Sequence, residues 1–343
     1  MIQALAFMIA SGGALARPPL AGPADFRAAI SQLVDKATKD ASNVVQGKDG
    51  WLFFVPELHH LSVSAFWGDA AAKVSKAANP AYADPLPAIL DFKSQLDKKG
   101  ITLLVVPVPA KASIYPDKLV DGAANTAEAR LDSADAEFLQ MLKGDSIPVI
   151  DLTPDFLAYR AAHPANPLYC QEDTHWSGYG IALATDRIAK AIQAQSWLSG
   201  VEKAKLTSAP LTITASGDLV TMLTGAKPAP ERIALTKVTD AKGAVVTSWR
   251  ESPVVLLGDS HNLIYSIGDD MLAVGSGLPE NLAAKLGFAP DVVAVRGSGA
   301  TPARVNLARR GDSLAGKRIV VWCFTVREFT EGQGWRKVPV IKP

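Results

Sequence analysis

Five mostly apolar runs constrain this chain more than any other feature. They cover residues 101–106, 149–152, 254–257, 292–295 and 319–324. A strand with one wet face alternates polar and apolar residues, whereas a strand buried on both faces reads as unbroken Val, Ile and Leu. Segments with apolar residues at helical spacing lie before and between the runs, at 82–98, 127–143, 178–195, 279–286 and 302–310, with a shorter one ending at 162. Buried strands alternating with helices predict an α/β protein: a doubly wound sandwich around a five-stranded, mainly parallel sheet. The 343 residues, 48% of them hydrophobic, suffice for one large domain or two modest ones.

In such sheets ligands bind at the carboxyl ends of the strands, so the residues just past each run matter most. The run at 254–257 leads into Gly258-Asp259-Ser260-His261. Gly258 permits a sharp turn, and a serine placed there is a nucleophile if a histidine can take its proton. Gly-Asp-Ser alone also makes ordinary turns. Asp173-Thr174-His175-Trp176-Ser177-Gly178 supplies a carboxylate and an imidazole two residues apart, with Ser177 placed to cap the next helix. The positive end of that helix dipole favours a neutral imidazole, the form a general base needs. The assignment is Ser260 as nucleophile, His175 as base and then acid, and Asp173 as the carboxylate that orients the ring.

A tetrahedral intermediate also needs donors for its oxyanion. The backbone of Ser260 is one candidate. Gly297 and Gly299 follow the run at 292–295 on the same sheet edge, although they equally suit a strand-to-helix turn. Lys111, beyond the first run, would bind an acidic sugar or steady a developing negative charge, unless it is a solvated loop lysine. His261 packs or contacts substrate. Trp51 and Phe53 read as core, and His59-His60 as surface loop.

Taken together, Gly258-Asp259-Ser260 and Asp173-Thr174-His175-Trp176 resemble the SGNH-hydrolase-like acetyltransferases of the alginate O-acetylation family. Gly47-Lys48-Asp49-Gly50-Trp51-Leu52-Phe53 and Val106-Pro107-Val108-Pro109-Ala110-Lys111 extend the resemblance from about residue 46 to the last strand. In ordinary SGNH hydrolases the Gly-Asp-Ser block comes first, and the order here resembles the permuted arrangement of the alginate group. The resemblance implies an SGNH-like fold, acetyl transfer to an exopolysaccharide through a serine acyl-enzyme, and no cofactor. It further implies a membrane-bound O-acyltransferase partner as acetyl source, a periplasmic location, and substrate contact by Arg327. An acetylesterase with the same triad and a non-catalytic polysaccharide-binding protein are the alternatives.

Domain organisation follows from composition. Residues 1–16 are apolar, uncharged and end Ala14-Leu15-Ala16, which reads as a signal peptide without its usual basic start, or as an N-terminal anchor. Residues 17–45 read as a linker and a helix, and 46–343 as the catalytic domain. Within it, 203–248 holds short strand-like pieces and turns, a β-rich insertion. The net charge of +1 without a basic block argues against nucleic acid as a partner. Cys170 and Cys323 either pair or stay as separate buried thiols. Asp173, His175, His163 and Cys170 are suitable ligand types, but they lack the i, i+4 spacing of helical zinc motifs, and no metal is expected.

Overall fold

The computed structural model describes residues 22–125 and 130–342. The export-type segment at 1–16 lies outside the described residues. Strands β1 (Val44–Gln46) and β2 (Leu52–Phe54) form a small antiparallel hairpin. Its turn runs through Asp49 (φ 53°) and Gly50 (φ 80°), the left-handed pair an Asp-Gly sequence supplies most readily. β3 (Thr102–Val108) then opens the central sheet. An excursion holds β4 (Thr207–Ala215) and β5 (Glu231–Thr239), and the sheet is completed by β6 (Val254–Gly258), β7 (Asp291–Ala294) and β8 (Ile319–Thr325).

The central sheet has the order β3-β8-β6-β7 and every pair is parallel. All residues of β6 and β8 are buried, which is why both read as unbroken apolar runs. Their register fixes where chemistry can occur. Val108 lies opposite Thr325, and Gly258 lies opposite both Cys323 and Ala294. The loops that leave these strand ends therefore emerge along one edge. Helix Leu86–Asp97 packs on β3 with Phe92 edge-on to Trp322, and helix Thr301–Arg309 packs on β6 and β7.

The sheet has four strands rather than the five expected. The run at 149–152 makes a single parallel bridge, Val149 to Val105, flanked by Val105 N–H to Pro148 O and Ile150 N–H to Val105 O. Two local features stop it from growing. Pro148 has no N–H to extend a ladder. Asp151 already turns back to accept from Thr153 N at 3.1 Å, opening helix Thr153–Ala162.

β4 and β5 pair antiparallel over nine positions, from Thr207 opposite Thr239 to Ala215 opposite Glu231. The third strand-like piece, near Val245, makes only a bridge to Thr239. Ile233, Leu235 and Val238 are buried, and β5 packs on helices Gly178–Gln193 and Leu278–Leu286. His59 and His60, expected on a surface loop, lie on helix Val55–Ser62. His60 is buried between Asp135 (2.8 Å) and Thr330 (3.1 Å).

Candidate active site

Ser260 begins a single 3₁₀ turn at the end of β6. Asp259 caps that turn. Its Oδ1 accepts from His261 N at 2.9 Å and its Oδ2 from Thr325 N at 2.7 Å, so one carboxylate ties the turn to the neighbouring strand. Asn262 adds donations to Asp259 O and Cys323 O. A Cβ on Gly258 would stand 1.7 Å from Cys323 O, so only glycine allows β6 and its turn to lie this close to β8.

The turn carrying Asp173 and His175 reaches the same edge from the start of helix Gly178–Gln193, whose first turn Ser177 caps by accepting from Tyr179 N. His175 Nδ1 lies 2.6 Å from Asp173 Oδ1, and His175 Nε2 lies 2.8 Å from Ser260 Oγ. Asp173 Oδ1 also accepts from His175 N at 2.9 Å, which fixes ring and backbone together. All three side chains are buried. Burial opposes ionisation of Asp173, but the facing His175 and three hydrogen bonds outweigh it and hold the carboxyl well below its usual range. Burial likewise works against a charged His175, yet Asp173 outweighs it and raises the imidazole above its usual pKa. The expected dominance of the helix dipole, which would lower that pKa, gives way to a carboxylate in direct contact.

His261 stands apart from the His175–Ser260 contact. It is buried against Asp259 (3.1 Å), with its ring centroid 4.8 Å from that of His175 and 5.3 Å from that of Trp176. Burial pulls its pKa down to about 4, so it is a neutral wall beneath the His175 ring.

Ser260, His175 and Thr174 line a cavity of about 460 Å³ with Phe54, Asp218, Arg296, Gly297 and Arg327. Of the candidate oxyanion and substrate residues, Gly297 and Arg327 thus reach the cavity. Arg327 is buried over the Phe54 ring (5.4 Å) and 3.7 Å from Glu57, and its Nη1 has no hydrogen-bond partner among the described residues. Gly299 does not line the cavity. A Cβ there would stand 2.6 Å from Phe324 Cβ and 2.9 Å from Asp259 N, and its carbonyl accepts from Trp322 Nε1, so it is a packing position beneath β6 and β8.

Lys111 corrects both readings given to it. It is neither in the cavity nor solvated. Its Nζ is buried under the 170–173 turn and donates to the carbonyls of Cys170 (3.0 Å), Gln171 (3.2 Å) and Asp173 (2.7 Å), while its N–H donates to Glu57 at 2.6 Å. Burial lowers its pKa against the pull of Glu57 and Asp173. It is a charged post that holds the Asp173 turn from below.

Sequence reasoning missed the groups that hold the turn from the other side. Gly217, between β4 and β5, lies so close that a Cβ would stand 2.2 Å from Glu172 O and 2.6 Å from Asp173 N. Asp218 N–H donates to Asp173 Oδ2, and the Asp218 carboxylate accepts from Thr174 N and Oγ1. Glu231, at the start of β5, accepts from Gln171 N and Glu172 N. In sequence Ser216-Gly217-Asp218 reads only as a turn, and no local signal says where that turn docks.

The four residues weighed as a metal cluster do not meet. His163 is exposed and stacked on Tyr159, and Cys170 Sγ faces Tyr265 OH at 3.0 Å. Cys170 and Cys323 are both free and buried. Asp173, His175 and Asp218 do place donor atoms within 4.8 Å of one another. Their oxygens, however, are already committed to N–H and O–H donors of the turn. A second, apolar cavity of about 340 Å³ lies beside β7, lined by Val245, Val246, Leu263 and Val274, without Ser260, His175 or Asp173.

The model of the family described as "SGNH hydrolase-like domain, acetyltransferase AlgX" matches residues 44–326. The probable alginate O-acetylase AlgJ of Pseudomonas putida is 26% identical over 231 residues, 64% of this chain and 54% of that protein. The chain thus spans about half the length of the curated relatives it matches. Among solved structures, the O-acetyltransferase domain of Pseudomonas putida AlgJ superposes with a TM-score of 0.62 at 22% identity, covering 84% of this chain and 92% of that one. Pseudomonas aeruginosa AlgX gives a TM-score of 0.60 at 17% identity, over 83% and 62%.

Proposed function

This chain belongs to the family of SGNH hydrolase-like domains described as acetyltransferase AlgX, and we propose that it transfers an acetyl group to a hydroxyl of an exopolysaccharide, alginate or a similar polymer. The observation that carries the reading is the unbroken relay Asp173–His175–Ser260, with contacts of 2.6 and 2.8 Å opening on one cavity. Ser260 Oγ attacks the acetyl carbonyl of the donor, and its proton passes to His175 Nε2. Asp173 keeps the other ring proton on Nδ1 and stabilises the imidazolium. The oxyanion accepts from the Ser260 N–H and from the Gly297 backbone. Collapse expels the donor's oxygen, which takes the proton from His175, and leaves acetyl on Ser260. The sugar hydroxyl then gives its proton to His175 and attacks the acyl carbon. Ser260 leaves and is reprotonated by the same ring.

Arg327 is the side chain we assign to acceptor contact, because its guanidinium lines the cavity beside His175 and is held there over the Phe54 ring. By likeness to AlgJ, whose name gives alginate O-acetylation, the acceptor is alginate or a relative of it; the periplasmic location and the membrane-bound O-acyltransferase as acetyl source rest only on the motif resemblance. Residues 1–16 would serve export or anchoring. No helix among the described residues is long and apolar enough to cross a membrane.

The test is intact mass spectrometry with a small activated acetyl ester, on wild type and Ser260→Ala, with and without alginate oligosaccharide. Acetyl on the wild type alone, moving to the oligosaccharide, is the expected result. Release only as acetate would make the protein an acetylesterase. No adduct on either, with sugar still bound, would leave a binding protein.

A further inference from the structure

We infer that Asp218 is a second, positioning carboxylate of this site: carried in on the β4–β5 excursion, it fixes the Asp173–Thr174–His175 turn and adds its charge to the imidazolium formed when Ser260 loses its proton. The inference rests on the acyl-transfer reading above. Its first support is the docking of the loop. Gly217 lies flat on the Glu172–Asp173 backbone, Asp218 N–H donates to Asp173 Oδ2 at 2.9 Å, and Leu219 N–H donates to Glu172 O at 3.2 Å. In return Asp218 Oδ1 accepts from Thr174 N at 2.8 Å and Oδ2 from Thr174 Oγ1 at 2.6 Å. Each residue of the Asp-Thr-His turn except His175 is therefore bonded directly to Asp218.

The second support is the position of the charge. Asp218 Oδ2 stands 3.9 Å from His175 Nδ1, outside hydrogen-bond range but within range of strong electrostatic influence. Among the groups around His175, Asp173 and Asp218 favour the imidazolium, Arg327 opposes it, His261 is neutral, and Thr174 and Ser260 carry no charge. Arg296, Asp270, Glu328 and Glu331 line the same cavity, and since they are common to every variant compared, their titration cancels from the difference between profiles. With one carboxylate in contact and a guanidinium against it, the second carboxylate tips the balance further toward the charged ring.

A general base that is easier to protonate has two signatures. Its acid limb lies at higher pH, and its plateau rate is higher because the imidazolium in the transition state is more stable. The experiment is the rate of Ser260 acylation by p-nitrophenyl acetate, read as the p-nitrophenol burst between pH 5 and 9. For Asp218→Asn the acid limb moves to lower pH and the plateau falls, each by about 3–10-fold in the underlying constant. Thr174→Val, which removes the hydroxyl bridge and keeps the charge, lowers the plateau and leaves the limb in place. Asp218→Glu restores the wild-type limb.

An acid limb that stays put in Asp218→Asn overturns the inference, as does an Asp218→Glu profile that matches the Asn variant. Should Asp218→Asn fail to fold, Asp218→Ser, whose hydroxyl still accepts from Thr174 N, replaces it as the uncharged variant. A wild type that shows no burst overturns the acyl-transfer reading itself, an outcome distinct from a wild-type burst with an unmoved limb.

Discussion

Replacing Glu328 by glutamine should stabilise the protein above neutral pH and leave it nearly unchanged in acid. Glu328 opens the short helix Glu328–Glu331 behind Arg327 and is only 3% exposed. Burial is the largest influence on it, reinforced by the nearby Asp259. Arg327, the Ser298 hydroxyl at 2.9 Å and Ala300 N–H at 3.4 Å pull the other way and lose, leaving a pKa of about 7. In the unfolded chain the same carboxyl titrates near 4.3, an ordinary glutamate value. The sign follows. Below the unfolded pKa both states are protonated and the residue costs nothing. As pH rises from there through 7, the unfolded chain ionises while the folded one holds its proton, so stability is lost across that window. A gap of about 2.5 units at 1.36 kcal/mol each gives a loss of about 3 kcal/mol by pH 8.

Glutamine keeps the shape and the acceptor for Ser298 but has nothing to ionise. Urea unfolding of wild type and Glu328→Gln at pH 5, 6, 7 and 8 reads the difference directly, because every other titrating group cancels between the two proteins. The expected gap is within about 1 kcal/mol at pH 5 and grows to about 2–4 kcal/mol in favour of glutamine at pH 8. A gap equal at pH 5 and 8 would refute the reasoning, since it would mean that Glu328 ionises alike in both states. The result bears on the site too. Glu328 lines the cavity, so the wild-type cavity becomes one charge more negative as pH passes 7.

Two further expectations concern the supports of the Asp173–His175 turn. Lys111→Met keeps the length of the side chain but strips the donor from three buried carbonyls and leaves Arg327 as the remaining cation near the buried Glu57, so it should cost about 3–5 kcal/mol in urea unfolding; a loss below about 1 kcal/mol would mean that water can take the place of the ammonium. Gly217→Val must push the β4–β5 loop away from Glu172 and Asp173. It should slow Ser260 acylation at least about tenfold while costing no more than about 1–3 kcal/mol of global stability, and an unchanged acylation rate would show that the loop is not needed to hold the turn.

The parts of this protein that were legible in its sequence are those in which each residue's surroundings follow from its neighbours in the chain. β6 and β8 are apolar along their whole length because both of their faces are covered, so the runs at 254–257 and 319–324 announce buried parallel strands, and the strand ends point to the edge where Ser260 sits. The run at 149–152 stops at one bridge because Pro148 offers no N–H and Asp151 turns its carboxylate back to Thr153 N, which its apolar neighbours do not reveal.

Buried polar groups are harder, because what permits their burial lies elsewhere in the chain. A lysine in a loop is ordinarily solvated, and Lys111 is buried only because three carbonyls from residues 59 to 62 positions further along converge on its ammonium. His60 depends on Asp135 and Thr330, 75 and 270 positions away. Asp218 approaches His175 only because β4 and β5 pair and bring their loop down on the turn. A short motif can nominate a candidate nucleophile, base and orienting carboxylate because chemistry restricts the residue types. It cannot name the groups that hold the base in place: a lysine, a glycine, a glutamate or a second aspartate will do so equally well, provided the fold delivers it. In this chain the delivering element is the excursion that reads as least regular. A loop without pattern of its own is therefore the first place to look for what a catalytic turn rests on.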